Sequence, residues 1–334
     1  MKSNPIAISR RSAALALAAT LCASLLGAPA AQAQSTAWPD KPVRVVVPYP
    51  AGAVGDVMLR IVADRLAAKY GQQFVIDNRA GGGGLAATKF VADAPPDGYT
   101  LLLNGPNHVT NLGLYRSVPY DPIADFVPIT HIGSSQTMLV AHTSTGFKTV
   151  EQIVAAAREK PGAMNYASSG SGTGTHLSME MFMRATNTKM QHVPYKGGSP
   201  AVVGLGGGEV QVGFSSVPLV QPLIEAGRLT PILVGGNKRL TGYPNVPSLG
   251  ELGMLNHDVE VWFGLLAPKG TPAAITSKLS ADVRAVLADP AIAQRFDKQG
   301  FSVVGSTEEE FGSLIRKEAQ RWPALIRELG IQGG

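Results

Sequence analysis

Residues 43–66 read VRVVVPYPAGAVGDVMLRIVADRL, and this stretch decides the fold. Val43 to Val47 is an apolar run of the length of a buried strand. Met58, Ile61, Val62, Leu66 and Tyr70 then fall on one face at helical spacing, and Gly71 supplies the stop. Between strand and helix lies Pro48-Tyr49-Pro50-Ala51-Gly52-Ala53-Val54-Gly55-Asp56. A turn this rich in small residues brings bare backbone close to a phosphate, a carboxylate or another part of the chain.

Outward from it the same unit recurs. Phe74 to Ile76 is a second strand, Asn78 to Gly84 a loop opening a helix through Ala94, and Tyr99 to Leu103 a third strand. In a second set, Thr149 and Gln152 cap a helix over Val150 to Lys160 that Pro161-Gly162 ends. Asn165 to Ala167 is a short strand, and the loop 168–175 leads into a helix over His176 to Thr186. Val210 to Phe214 and Pro231 to Val234 are further strands, and Val259 to Ala267 reads as extended chain. Thr271 is expected to cap a helix with Pro272 in its first turn, and Thr307 with Glu310 caps the last one, which Pro323 is expected to kink. The alternation predicts an α/β fold with ligand-facing loops at the carboxyl ends of its strands. Two such sets without a linker predict two lobes with a cleft at their junction.

The first 33 residues stand apart. Lys2, Arg10 and Arg11 are followed by an apolar run over Ala13 to Leu26 and by Ala31-Gln32-Ala33, the pattern of a secretory signal peptide cleaved after Ala33. The run is too short to span a bilayer, which takes about 20 residues. Ser9-Arg10-Arg11 loosely resembles a twin-arginine signal, but Ala13 and Ala14 follow, so the general secretory route is favoured. The only cysteine, Cys22, lies inside this segment, so the remaining 301 residues must be held by their core rather than by disulfides. Without the three basic residues of the signal the chain carries 26 Lys+Arg against 24 Asp+Glu, a balance of +2. No basic cluster follows phosphates, so nucleic acid is not an expected partner.

The loop Ser168-Ser169-Gly170-Ser171-Gly172-Thr173-Gly174-Thr175 is the strongest local signal. Its glycines turn tightly, its hydroxyls add donors, and the free N–H groups of the helix behind it suit an anion. Read blandly, it is a capped helix start with no ligand. A nucleotide P-loop is disfavoured, because no lysine precedes the hydroxyl. Gly81 to Gly84 and the turn at 48–56 are matching candidates, though neither is a dinucleotide fingerprint. Asp56 is expected to accept backbone N–H bonds at the helix start, with Arg60 near it or near Asp64. Arg79 is left between a loop salt bridge and the cleft. Asn104 to Asn111 reads as a polar loop in which Asn107 and His108 either select a ligand or are merely solvated. The six histidines, His108, His131, His142, His176, His192 and His257, form no close ligand pair, so neither a metal nor a cofactor is expected. Gly197-Gly198-Ser199-Pro200-Ala201 resembles a nucleophile elbow, but Pro200 removes the N–H an oxyanion hole needs, which disfavours a hydrolase acting through Ser199.

Eight motifs then carry a resemblance over nearly the whole chain from Trp38. They include W-P-x-K-P-V-R-V-V-V-P, D-N-R-x-G-x-G-G, P-D-G-Y-T-L-L, N-Y-A-S-S-G-x-G-T-x-x-H-L, P-Y-K-G and W-F-G-L-L-A-P-x-G-T-P. In this order they resemble the Bug family, the periplasmic solute receptors of tripartite tricarboxylate transporters. The resemblance implies a type II periplasmic binding protein, with lobe 1 over 34–138 plus 258–334 and lobe 2 over 139–257, two Rossmann-like lobes joined by two crossing segments. It implies a monomeric, non-enzymatic periplasmic receptor for a small organic carboxylate, aliphatic or aromatic, serving membrane transporter subunits. It further implies that Tyr49, Gly52, Ala53 and Val54 face the ligand from one lobe, and Ser168, Ser169, Gly172 and Thr173 from the other, with Asn107, His108 and Ser215 as further candidates.

The sequence also departs from the pattern. Many members read P-G-G-x-[ST]-D in the first loop, where this chain has Ala53 for a glycine and Gly55 for a hydroxyl, so backbone donors are expected to do the binding. Many carry an Asp where this chain has Ser215-Ser216, which favours a ligand without a free amine. A sensor that signals to a membrane kinase on closure remains the alternative, because it would use the same motion.

Overall fold

β1 (Val43–Val47) is buried at every position except Arg44, as a strand covered on both faces must be. It pairs in parallel with β2 (Phe74–Asn78) and β3 (Thr100–Asn104), Val45 standing opposite Ile76 on one side and Leu101 on the other. Between β1 and β2 runs helix α1 (Val54–Tyr70), which buries Met58, Leu59, Ile61, Val62 and Leu66 and stops at Gly71, whose φ of 67° only glycine adopts freely. Helix α2 (Leu85–Ala92) links β2 to β3. The structure is a computed structural model and describes residues 38–254 and 261–331. The signal-peptide reading, Cys22 and His257 lie outside those residues, as do the first two residues of the extended stretch expected from 259.

After β3 come α3 (Asn107–Leu114) and the long β4 (Phe126–Ser135). Gln136 separates β4 from β5 (Thr137–His142), which belongs to a second sheet. That sheet is filled by β6 (Asn165–Ser168), β7 (Gln191–Pro194), β8 (Val212–Ser216) and β9 (Leu229–Val234), in the order β7-β6-β8-β5-β9. Its helices are α4 (Val150–Glu159), α5 (Gly174–Thr186), α6 (Gly198–Gly207) and α7 (Val217–Glu225). The chain then returns with β10 (Val261–Pro268), which inserts antiparallel between β3 and β4. Helices α8 (Ala273–Leu287) and α9 (Pro290–Lys298), strand β11 (Phe301–Val303) and helix α10 (Glu308–Glu328) finish the first half, giving the strand order β11-β4-β10-β3-β1-β2.

Each sheet has its own core. In the second, Leu139 and Ala141 of β5 feed one apolar cluster and Met138 and Val140 the other, which is the period of two that a strand between two helix layers requires. The first half centres on Val46, Leu102, Trp262, Phe311 and Trp322. Leu177 and Met181 of α5 join that same cluster, so one helix of the second half is anchored in the core of the first. Full burial of each such side chain stabilises by about 1.5–3 kcal/mol.

Several expectations need correction. Asn107 to Leu114 is a helix and not a polar loop, because its polar residues are buried and bonded rather than solvated. Thr271 does not cap α8: its hydroxyl donates to the Pro268 carbonyl, 2.8 Å away, and Pro272 occupies the cap position. Ser199, already disfavoured as a nucleophile, lies exposed in the first turn of α6. The cap expected for the last helix is present as a reciprocal Thr307–Glu310 box, and Pro323 lies inside that helix.

Candidate functional site

The first loop folds around Asp56. Its carboxylate is fully buried and accepts the Gly52 N–H at 2.8 Å, Arg60 Nε at 2.9 Å and Nη2 at 3.0 Å, and Asn78 Nδ2 at 2.9 Å. Burial alone would raise this carboxyl, but the bonds from Arg60, Gly52 and Asn78 outweigh it and hold the group below its usual range. The Ala53 N–H is taken by the Pro50 carbonyl at 3.1 Å. The expectation that Gly52 and Ala53 offer backbone donors is therefore corrected: their N–H groups close the turn. Donors remain one step further on, in the first turn of α1 at Val54, Gly55 and Asp56, where a helix has no acceptors of its own. Gly55 is required here, because a Cβ would lie 2.6 Å from the Phe263 ring. Half-buried Tyr49 packs its ring edge-on to Phe263 and donates its hydroxyl to Asn104 Oδ1 at 3.2 Å.

The second loop is bound up in its own hydroxyls. Ser169 Oγ reaches Thr173 Oγ1 at 3.1 Å and Thr175 Oγ1 at 2.8 Å, and Thr173 donates to the Gly170 carbonyl at 2.7 Å. Ser168, buried, meets His192 Nε2 at 2.6 Å and accepts the Gly170 N–H at 3.1 Å. The Gly172 N–H donates to His176 Nδ1 at 2.9 Å. Ser169 and Thr173 are half-buried, whereas Ser168 and Gly172 are not accessible. Ser215 is buried in β8 opposite Met138, two residues before the start of α7.

Each loop touches the opposite half of the molecule, at a different place. Thr110 Oγ1 of α3 donates to the Gly172 carbonyl at 3.1 Å, and a Cβ at Gly172 would lie 1.8 Å from Leu114 Cδ1. Pro50 of the first loop sits against Gly197, whose N–H donates to the Ser169 carbonyl at 3.1 Å. His108 is not part of these contacts. Its ring is fully buried, with Nε2 donating to the Pro122 carbonyl at 2.9 Å and the rings of Tyr120 and Phe126 against it. Burial drives its pKa down to about 4, so it is a neutral core residue, and the candidate donor role is corrected. Asn107 beside it is likewise buried, in the first turn of α3. Thr110, His176 and His192 were not singled out from sequence as site residues. The one available signal was the four-residue spacing from Gly172 to His176.

The helix starts share a further property. Those at Val54, Asn107, Gly174, Gly198 and Val217 have no side-chain cap, and neither do those at Leu85 and Ala273. Helices at Val150, Pro290 and Glu308 are capped by Thr149, Asp289 and Thr307. At Val54 and Gly174 the uncapped start leaves N–H groups and a positive dipole end to an outside acceptor, which is the chemistry of an anion site. In α3, by contrast, the His108 and Val109 N–H groups go to the Gly105 and Pro106 carbonyls, and in α7 the Val217 N–H goes to the Gln136 carbonyl. Among the described residues no group of His, Cys, Asp and Glu suits a metal. A cavity of about 400 Å³ lies elsewhere, where the chain changes sheet, lined by Ser134, Gln136, Gly235, Lys238 and Ser302. It contains no helix start, and the loops at 48–54 and 168–173 form no part of it.

Two α/β halves crossed by two segments, with a loop from each side touching the other, define a two-lobe periplasmic binding protein. Comparison with known proteins narrows the class. Residues 58–331 match the family described as the tripartite tricarboxylate transporter family receptor. Protein BugT of Bordetella pertussis is 34% identical over 305 residues, covering 91% of this chain and 94% of its own. Among solved structures, an R. palustris protein with adipate superposes with a TM-score of 0.84 at 34% identity, covering 89% of this chain and all of the other. MatC from Rhodopseudomonas palustris with bound malate gives 0.80 at 27% identity, covering 86% of this chain and all of its own. The chain belongs to the tripartite tricarboxylate transporter receptor family, of the Bug type.

Proposed function

We propose that the protein captures a small organic carboxylate between its lobes in the periplasm and delivers it to a tripartite tricarboxylate-type membrane transporter. The observation that carries this reading is the pair of uncapped helix starts at Val54 and Gly174, one in each half, each behind a loop that touches the opposite half of the molecule. A carboxylate can accept N–H groups from both, in charge-assisted bonds stronger than neutral ones. Adipate and malate in two related structures are carboxylates of the size and charge that such a pair would hold. In this reading the first-turn N–H groups from Val54 onward and the Tyr49 side chain hold one end of the ligand. Ser169 and Thr173 reach the other, while Gly52, Ala53, Ser168 and Gly172 shape the loops. Ser215 lines the second lobe, and Asn107 only supports the first.

The lobes are taken as 34–138 plus 258–334 and 139–257, except that Thr137 and Met138, already in β5 of the second sheet, go to the second lobe, which makes Gln136 one crossing point. Cleavage after Ala33 releases the mature monomer. Closure brings both loops onto the ligand at once, and the closed face is what the transporter reads. The function is capture and release, with no chemical step. Ser169→Ala and Thr173→Ala, titrated with adipate and malate as probes, should each weaken binding about tenfold, the worth of a lost bond to a charged group. Unchanged affinity in both, with normal folding, would mean that the second loop is only structural.

A further inference from the structure

Behind the second loop stand two histidines that the binding reading leaves unused. His176, in the first turn of α5, and His192, on β7, stack with ring centroids 3.9 Å apart and planes 8° from parallel. The Tyr166 ring of β6 lies beside the pair, its centroid 4.9 Å from His192 and 6.2 Å from His176. Glu180, one turn beyond His176, accepts the Tyr166 hydroxyl at 2.5 Å and lies 3.6 Å from His176 Nε2. Tyr166, Glu180 and His192 are thus the titratable groups facing His176 from the elements packed around it.

Both histidines end on loop backbone. His176 Nδ1 is the acceptor of the buried Gly172 N–H. That bond fixes the tautomer, with the proton on Nε2 toward Glu180. His192 Nε2 holds the Ser168 hydroxyl, which in turn takes the Gly170 N–H and reaches the Gly170 carbonyl. The shape of residues 168–172, and with it the seat of Ser169 and Thr173, therefore depends on an unprotonated Nδ1.

We propose that His176 is a positioning residue for ligand capture, and that proton uptake by the stacked His176–His192 pair releases the Gly172 N–H and slackens the loop, so that affinity falls in acid. The inference rests on the carboxylate reading only for the identity of what is bound. A proton on Nδ1 turns the acceptor into a donor facing a donor, and leaves a buried N–H without a partner. Two rings at this separation do not both carry charge, and Glu180 is placed to balance one proton only. Burial, then the neighbouring His176, draws His192 down to about 4, while Glu180 opposes the shift. Burial would raise the Glu180 carboxyl, but the bonds from His176 and Tyr166 outweigh it and keep it low.

The test needs no ligand at its first step. Across the range from about pH 8 to about pH 4, which takes in both the ordinary range of histidine and the value near 4 to which His192 is drawn, the amide signals of Gly172 and Gly170 are followed by NMR together with the imidazole signals of His176 and His192. Amides that move with the rings are the expected result, and amides that stay fixed while the rings titrate overturn the proposal. Rings that stay neutral over the whole range overturn it as well.

Binding of adipate and malate is then measured over the same range in the wild type, His176→Ala and His176→Gln. The alanine variant should bind about tenfold more weakly at neutral pH. His176→Gln, whose amide oxygen accepts the same N–H but takes no proton, should recover most of that loss and show a flatter pH profile. Protonation of the probe itself is common to all three proteins, so the difference between profiles is the readout. Identical profiles in wild type and His176→Gln contradict the positioning role. If neither probe binds any of the proteins while the amides still follow the rings, the carboxylate reading fails and the histidine support stands.

Discussion

Asp56 shows how one buried charge sets a loop. Its four bonds tie Gly52, Arg60 and Asn78 into one unit, and Arg60 remains half exposed, so the pair is stabilising without being sealed from water. Asp56→Ala strands these donors and should lower unfolding stability by about 3 kcal/mol, measured by denaturant titration; a loss below about 1 kcal/mol would contradict the role. His108 makes a prediction of opposite chemistry and the same direction. Its pKa of about 4 when folded, against 6.5 when unfolded, means that the unfolded chain binds more protons between those values. Stability is then full above about pH 6.5 and is lost progressively as pH falls toward 4, by about 3 kcal/mol from this group. The His108 ring signal should stay in its neutral form down to about pH 5, and a ring that titrates near its ordinary value would sink the claim. The placement of Asp56 was legible from its position at a helix start. The burial of His108 was not, because a polar run of Asn, His and Thr reads the same in sequence whether water or a core surrounds it.

Among the elements, the best-read ones carry their own punctuation. Helix α1 ends at Gly71, and α10 begins at a Thr307 box whose removal in Thr307→Ala should cost about 1 kcal/mol in thermal unfolding, with no effect on ligand binding. β4 and β5 escaped notice because nearly every residue of both is buried, so no alternation marks their faces. Helix α6, with the sequence GSPAVVGLGG, runs against propensity. Two of its glycines allow close contact: a Cβ at Gly204 would lie 2.2 Å from the Tyr195 hydroxyl, and one at Gly206 2.7 Å from Leu223. Gly172 is the corresponding position in the second loop, with φ of 73° and Leu114 against it. Gly172→Ala should weaken carboxylate binding at least about tenfold, since backbone strain and the clash each cost about 1–3 kcal/mol. Leu114→Ala in the same chain should recover only the part due to the clash. Full recovery would show that the backbone conformation at 172 does not matter.

For the whole molecule, the repeated strand–loop–helix unit announced two lobes, and the glycine loops announced which edges face each other. What sequence left open was how the loops are finished. The donors expected at Gly52 and Ala53 are spent within the turn, and the hydroxyls of 168–175 largely bond one another. Such pairings join residues through the fold and leave no local pattern. The halves also share more than two crossing segments: Leu177 and Met181 of α5 enter the first core, and Arg184 bonds Glu328 at 2.8 Å on the rim. Opening should therefore pivot near α5, with the Thr110–Gly172 bond among the contacts exchanged. The exposed Arg184–Glu328 pair contributes little, so Glu328→Gln should change stability by less than about 1 kcal/mol. The central claim, that the cleft binds a small organic carboxylate, is tested most directly by thermal unfolding against adipate, malate, citrate, acidic amino acids and aromatic carboxylates. At about 100 times its Kd a true ligand adds about 2.7 kcal/mol of stability, so at least one carboxylate should raise the unfolding temperature clearly; a transition that none of them moves would contradict the account.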